Sequence, residues 1–276
     1  MGERGAVTAC LNCGELVTLR YCPACGQEAA HTLQRPFREI VGEVLDETIA
    51  LDSRFGTTVL PLLRSPGLLT AEYLAGRKAR YTAPLKLYLL LSFLFFVASA
   101  LAPRSSVRLA RPEEAAQGAA QVDGGLAELR ARGRLGARVA DRVDAIRALP
   151  PEQVRARVTA AFQENAPRVV FFLVPVLALL LKLLYRRRYY AEHLVTALHA
   201  HAFAFAVLLP SELLPWSGLA QLGAALTGLW LVLALRRIYG ETWARTVAKG
   251  LVLLLAYAVA LGLGLTGALV AALLLL

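Results

Sequence analysis

From residue 167 to the end of the chain there is hardly a break in apolar character, and residues 84–102 form a second stretch of the same kind. Over the whole sequence 57 % of residues are hydrophobic, where soluble globular proteins have about 45–50 %. The excess asks for a second solvent. It is also unevenly spread, because residues 1–83 and 103–166 read as ordinary polar protein. The sequence therefore predicts an all-α polytopic membrane protein with a small soluble head and one extramembrane insertion.

Five segments approach the ~20 apolar residues that a bilayer core requires. They are 84–102, 167–185, 194–214, 217–235 and 250–276, with the last four forming one bundle over 167–276. The third and fourth are expected to form a hairpin through Pro215-Trp216. Orientation follows from flanking cations, which accumulate on the cytoplasmic side. Arg77, Lys78, Arg80 and Lys86 precede or open the first span, Lys182 and Arg186, Arg187 and Arg188 end the second, and Arg236, Arg237, Arg245 and Lys249 join the last two. With five spans these clusters share one side. The expectation is a bacterial inner-membrane protein with its N-terminus cytoplasmic and its C-terminus periplasmic, and with no cleaved signal peptide.

This topology makes 103–166 a periplasmic helical insertion. It holds eleven arginines and eight acidic residues, but loops beyond about 60 residues largely escape the charge rule. Leu135, Val139, Val143, Ile146 and Leu149 form one amphipathic stripe and Val154, Val158 and Phe162 another, separated by Pro150-Pro151. A helical hairpin on the outer leaflet or on a partner is expected. Ala220, Ala224 and Gly228, and Ala256, Ala260, Gly264, Ala268 and Ala272, recur at fourfold spacing. Such stripes let helix backbones approach closely, although plain alanine-rich composition produces them too, and a homo-oligomer stays open.

All four cysteines lie in the head, within residues 1–34, as Cys10-Leu-Asn-Cys13-Gly14 and Cys22-Pro-Ala-Cys25-Gly26. Two intervening residues let both thiolates of a tight turn face one ion, and the following glycine permits a positive φ. Two such turns supply the four sulfurs of a closed tetrahedral site. Cys10, Cys13, Cys22 and Cys25 are therefore expected to hold a structural Zn²⁺ in a zinc ribbon whose core is the metal. A redox motif would be a single CxxC on a βαβ scaffold, and disulfides suit an oxidising compartment.

Net charge is +10 over the chain, yet residues 1–76 hold six Lys/Arg against nine Asp/Glu. A nucleic-acid binder needs a basic stripe to displace counterions, and the head has none. Segment 35–83 is read as amphipathic cytoplasmic or interfacial helices. Phe37, Ile40, Val41, Val44, Leu45 and Ile49 face one way, and Glu39, Glu43, Asp46 and Glu47 the other, so this helix is expected to pack on protein and not on anionic lipid. Arg77, Lys78 and Arg80, with Tyr81, are expected to contact lipid headgroups.

The double CxxCG head, Tyr21-Cys22-Pro23-Ala24-Cys25-Gly26-Gln27, Arg64-Ser65-Pro66-Gly67, Glu72-Tyr73 and Gly76-Arg77-Lys78-Ala79-Arg80-Tyr81-Thr82-Ala83-Pro84 together resemble an uncharacterised bacterial family. That family, domain of unknown function 3667, combines a zinc-ribbon head with membrane spans. The resemblance extends to Tyr190-Ala191-Glu192-His193-Leu194-Val195 and Leu198-His199-Ala200-His201-Ala202-Phe203. It implies an architecture and no established activity.

Three of the four histidines, His193, His199 and His201, fall in the third span beside Glu192. Ionisable groups at membrane depth are costly and suggest function. At about 100° per residue, Glu192, Thr196 and His199 share one face, whereas His199 and His201 point nearly opposite ways. No pair has the i, i+4 spacing of a zinc-binding HExxH helix. These residues form a candidate polar site, either a track into the membrane or a ligand site completed by other spans. The alternative is hydrogen bonding to neighbouring helices. His31 reads as a surface residue. With no serine motif, phosphate loop or paired intramembrane carboxylates, catalysis is not expected. The leading expectation is a membrane-anchored interaction protein bound to the lipid bilayer and to a protein partner. A small transporter or channel using the third-span residues is the alternative, and a membrane enzyme acting on a lipid-linked substrate is a weaker one.

Overall fold

The computed structural model describes residues 8–18, 21–27, 54–102, 123–214, 216 and 218–275. The acidic-faced helix expected over 36–51, His31, the start of the insertion and Pro215 lie outside the described residues. Strands β1 (Thr8–Ala9) and β2 (Leu16–Val17) pair antiparallel, with Thr8 opposite Val17 and Ala9 opposite Leu16. The rest is helical: α1 (Arg54–Arg64), α2 (Leu68–Leu74), α3 (Pro84–Leu101), α4 (123–131), α5 (Arg134–Arg147), α6 (Pro151–Leu184), α7 (Tyr190–Leu213), α8 (Leu219–Tyr239) and α9 (Trp243–Leu275). Five of them, α3 and α6 to α9, are long and apolar enough to cross a membrane.

Helix ends and apolar ends do not coincide. Helix α6 has 34 residues and at about 1.5 Å per residue exceeds the ~30 Å bilayer core by roughly 20 Å. The sequence reading starts the second span at Pro167; the helix starts at Pro151. The stripe of Val154, Val158 and Phe162 is thus the first part of α6 and not a separate helix. Pro151 suits a first helical turn. Pro167 and Pro175 lie inside the helix, where each removes one backbone bond while helical continuity keeps the others.

Two compact units divide the chain. The first comprises Met1–Ala102 and Val174–Ala258, and α7 is its centre: 56 % of its apolar window is buried, against 22 % for α3 and 28 % for α8. Helix α3 packs along α7 through a ring cluster. Tyr88 meets His201 edge-on, and Tyr88, Phe95 and Phe96 surround Phe205 with centroids 5.2–6.0 Å away. On the other flank Phe203 stacks on Trp230 of α8 at 4.9 Å. Aromatic pairs at such separations add to the area they bury.

The short α1–α2 hairpin sits against α7 and α8. Trp230 Nε1 donates to the Leu62 carbonyl at 2.8 Å. At the bend, Gly67 has φ +73° and lies so close to α8 that a Cβ there would be 3.0 Å from both the Cα and the carbonyl oxygen of Ala234. Only glycine meets both demands without strain. Thr58 accepts the Thr82 amide at 2.9 Å, tying α1 to the entrance of α3.

In the second unit, Pro103–Leu173 with Val259–Leu276, α4 and α5 form an antiparallel hairpin. Arg147 pairs with Asp123 and Arg130 with Asp144. A Cβ at Gly136 would collide with the Leu129 carbonyl. Residues 148–150 break the chain between α5 and α6, where Pro150-Pro151 was expected to separate two helical stripes. Gly264 of α9 approaches Val169 of α6, where a Cβ would lie 2.9 Å from Cγ1.

Candidate functional site

The two CxxCG motifs fold alike. Cys10 N–H donates to the Glu15 carbonyl and Gly14 N–H to the Cys10 carbonyl, both at 2.8 Å. In the second turn Cys22 N–H donates to the Gln27 carbonyl at 2.7 Å and Gly26 N–H to the Cys22 carbonyl at 2.8 Å. Gly14 and Gly26 take φ +83° and +72°, a region that favours glycine. The sulfurs of Cys10, Cys13, Cys22 and Cys25 all lie within 4.8 Å of one another. Cys10 and Cys25 are 3.6 Å apart and Cys13 and Cys22 3.5 Å, far beyond the ~2.05 Å of a disulfide. Four sulfurs tetrahedral about an ion at ~2.3 Å would stand about 3.8 Å apart. The cluster thus has the dimensions to hold a metal ion.

Cys10 and Cys13 are shifted in opposite directions. Burial works against a Cys10 thiolate, but hydrogen bonds from the Cys13 and Asn12 amides outweigh it and leave the thiol at about 7. At Cys13 the Glu15 amide favours the anion, yet desolvation and the neighbouring sulfurs prevail and push it up to about 12. Four thiolates cannot share so small a volume without a cation among them.

The ribbon is fastened to the chain just ahead of α3. Gln27 is buried; its Nε2 donates to the Gly76 carbonyl at 2.8 Å, and its Oε1 accepts the Lys78 and Ala79 amides at 3.0 and 3.2 Å. Gly76, with φ +81°, lies against Leu11, whose Cδ1 would be 2.6 Å from a Cβ there. Of the cations expected at the headgroups, Arg77 forms a two-pronged pair with Glu72, both contacts 2.6 Å. That guanidinium holds the Glu72 carboxyl below its usual range. The Lys78 ammonium lies 4.5 Å from the Tyr73 ring centroid, and Arg80 stacks near Tyr81.

The polar residues of the third span are all buried but do not converge. Glu192 stands in the first turn of α7, where it accepts the Tyr189 amide at 3.2 Å and pairs with Arg188 at 3.0 Å. An acid there suits the positive end of the helix dipole. Thr196 turns back to the Glu192 carbonyl at 2.9 Å. His193 Nδ1 is 2.6 Å from Tyr239 Oη, His199 Nδ1 is 2.9 Å from Thr70 Oγ1, and His201 lies 2.8 Å from both the Ala197 carbonyl and Tyr257 Oη. Each histidine thus joins α7 to a different element: α8, α2 and α9.

Gln27, Thr70, Tyr239 and Tyr257 were not singled out as site residues in the sequence. Gln27 follows its knuckle directly, but no spacing rule marks a residue whose partners lie 49–52 positions away. The tyrosines look like ordinary interfacial or span residues until α8 and α9 are placed beside α7.

No curated protein and no solved structure matches the chain. Residues 52–96, which comprise α1, α2 and most of α3, match the family model described as protein of unknown function (DUF3667), the same family that the sequence resembles.

Proposed function

We propose that the protein is a membrane-anchored interaction protein whose head is a structural zinc ribbon, displayed at the cytoplasmic face of a bacterial inner membrane. The observation that carries this reading is the four-sulfur cluster secured by Gln27 to residues 76–79, at the foot of α3. All four sulfurs face one point, leaving no open position for substrate, so the chemistry of the donor set favours folding over catalysis. The ribbon presents Leu16 and Tyr21 at 64 % and 52 % exposure, apolar surface suited to a protein partner.

Orientation is supported by where the cations gather in the first unit. Tyr239 stacks on Tyr185, Lys249 lies over the Tyr185 ring and Arg237 reaches the Pro66 carbonyl. These contacts bring the end of α6, the end of α8 and the start of α9 to the end that carries the α1–α2 bend, as cytoplasmic placement requires. The test is mass spectrometry of native membrane complexes from wild type and a Cys10→Ser/Cys22→Ser variant at matched expression. A partner that copurifies with wild type and is lost from the variant supports docking. A partner set unchanged by the variant would sink it.

A further inference from the structure

At the same end of the first unit lies a cleft of about 470 Å³, within the size range of small-ligand sites. One wall is aromatic: Tyr185 and Tyr239 stack at 3.8 Å and 11°. The mouth is cationic. Arg186, Arg187, Arg188 and Lys249 line it against one carboxylate, Glu241. Two of the cations are neutralised within the protein, since Lys249 meets Glu241 at 2.7 Å and Arg188 meets Glu192 at 3.0 Å. Among the described residues, Arg186 and Arg187 pair with no carboxylate. Lys182 holds their turn by donating to the carbonyls of Arg186 and Arg188 at 2.7 and 2.6 Å.

The second observation concerns hydrogen bonding. Among the described residues, two buried side-chain polar atoms at this cleft lack a partner: Tyr185 Oη and Glu241 Oε2. Both residues line the cleft, whose other tyrosine, Tyr239, is held by His193 Nδ1 at 2.6 Å. Buried polar groups nearly always have partners, so two side by side mark a place built for polar contact. An arginine run that served only to orient the chain would need neither an aromatic wall nor these groups.

We infer that this cleft binds a phosphate ester that also carries a hydroxyl, of which glycerophosphate is the simplest form. Arg186 and Arg187 take the phosphate oxygens, since guanidinium geometry matches two acceptors at once. Tyr185 adds a neutral donor. Glu241 Oε2 accepts from the ligand hydroxyl and opposes bare, multiply charged anions. The chemistry is shared by two sources, the headgroup of phosphatidylglycerol in the bilayer and a soluble glycerol phosphate. The inference goes beyond the docking role and does not depend on the ribbon.

The test uses the full chain purified in detergent, titrated by native mass spectrometry with phosphatidylglycerol, and separately with glycerol 3-phosphate, phosphatidylcholine serving as comparison. Arg186→Gln/Arg187→Gln is expected to weaken binding by about tenfold or more, the effect of losing roughly 1.4 kcal/mol. Arg64→Gln/Arg245→Gln removes equal charge outside the cleft and is expected to change binding less than about twofold. Tyr185→Phe, which keeps the ring stack, is expected to weaken binding severalfold. Saturable lipid adducts that resist glycerol 3-phosphate assign the site to a headgroup; saturable binding of glycerol 3-phosphate with the same variant pattern assigns it to a soluble ester. Absence of saturable binding by either probe, or equal losses in the two double variants, overturns the inference.

Discussion

Replacing Gln27 with leucine should release the ribbon from the loop ahead of α3 while leaving the ribbon itself folded. The glutamine makes three hydrogen bonds, to the Gly76 carbonyl and from the Lys78 and Ala79 amides. At a net ~0.5–1.5 kcal/mol each, their loss costs about 2–4 kcal/mol. The loss exceeds what repacking of a leucine can return, because the glutamine is 4 % exposed and its site is bounded by backbone polar groups. None of the four cysteines touches the Gln27 side chain in these bonds, so metal binding should survive. The assay is hydrogen exchange read by mass spectrometry over residues 76–79, with metal content measured in parallel. At 1.4 kcal/mol per tenfold, the Lys78 and Ala79 amides should exchange at least about 30-fold faster in Gln27→Leu, with metal stoichiometry unchanged. Unaltered protection at these two amides would refute the reasoning, since it would mean that the loop keeps its structure without the side chain.

Four further outcomes are expected. Chelation, or Cys10→Ser/Cys22→Ser, should unfold the ribbon and leave helicity nearly intact; metal retention should weaken as pH falls, because thiolates must lose protons to ligate, which a metal assay at stepped pH measures. Gly67→Ala should cost about 1–3 kcal/mol in thermal or denaturant unfolding in micelles, from a left-handed φ and a Cβ 3.0 Å from the Ala234 backbone. Thr70→Val should cost about 1–3 kcal/mol by leaving His199 Nδ1 unpaired, and Thr70→Val/His199→Leu should cost less than the sum of the single changes by about 1 kcal/mol, read from a double-mutant cycle. The Arg77 guanidinium depresses the Glu72 carboxyl below its ordinary 4.5, so the pair's contribution is complete above that value and is lost as pH falls through the lowered one; Glu72→Gln should flatten the acid limb of the melting-temperature profile.

Much of the architecture is legible one residue at a time. Long apolar runs over 84–102 and 167–276 require a lipid solvent wherever the chain folds, and each of the five spans expected in them coincides with most of one helix. The cysteine cluster is equally local: two residues between thiols and a glycine after each pair determine both turns before any tertiary contact forms. Helix lengths were less legible, because hydropathy marks where lipid ends and not where hydrogen bonding ends. Helix α6 starts 16 residues before its apolar part, carried through Pro167 by the continuity of its remaining bonds.

What surrounds each polar residue was decided by tertiary structure alone. Helical geometry could say that His199 and His201 diverge, but not that one meets Thr70 and the other Tyr257. Gln27 looked like the tail of a knuckle until the loop at 76–79 folded against it, and Tyr185, Tyr239 and Glu241 acquired a shared cleft only when α6, α8 and α9 met. A side chain's type and its place on a helix are properties of the local chain. Its partner is set by how helices far apart in sequence pack, and in an apolar bundle many packings share one pattern of hydropathy.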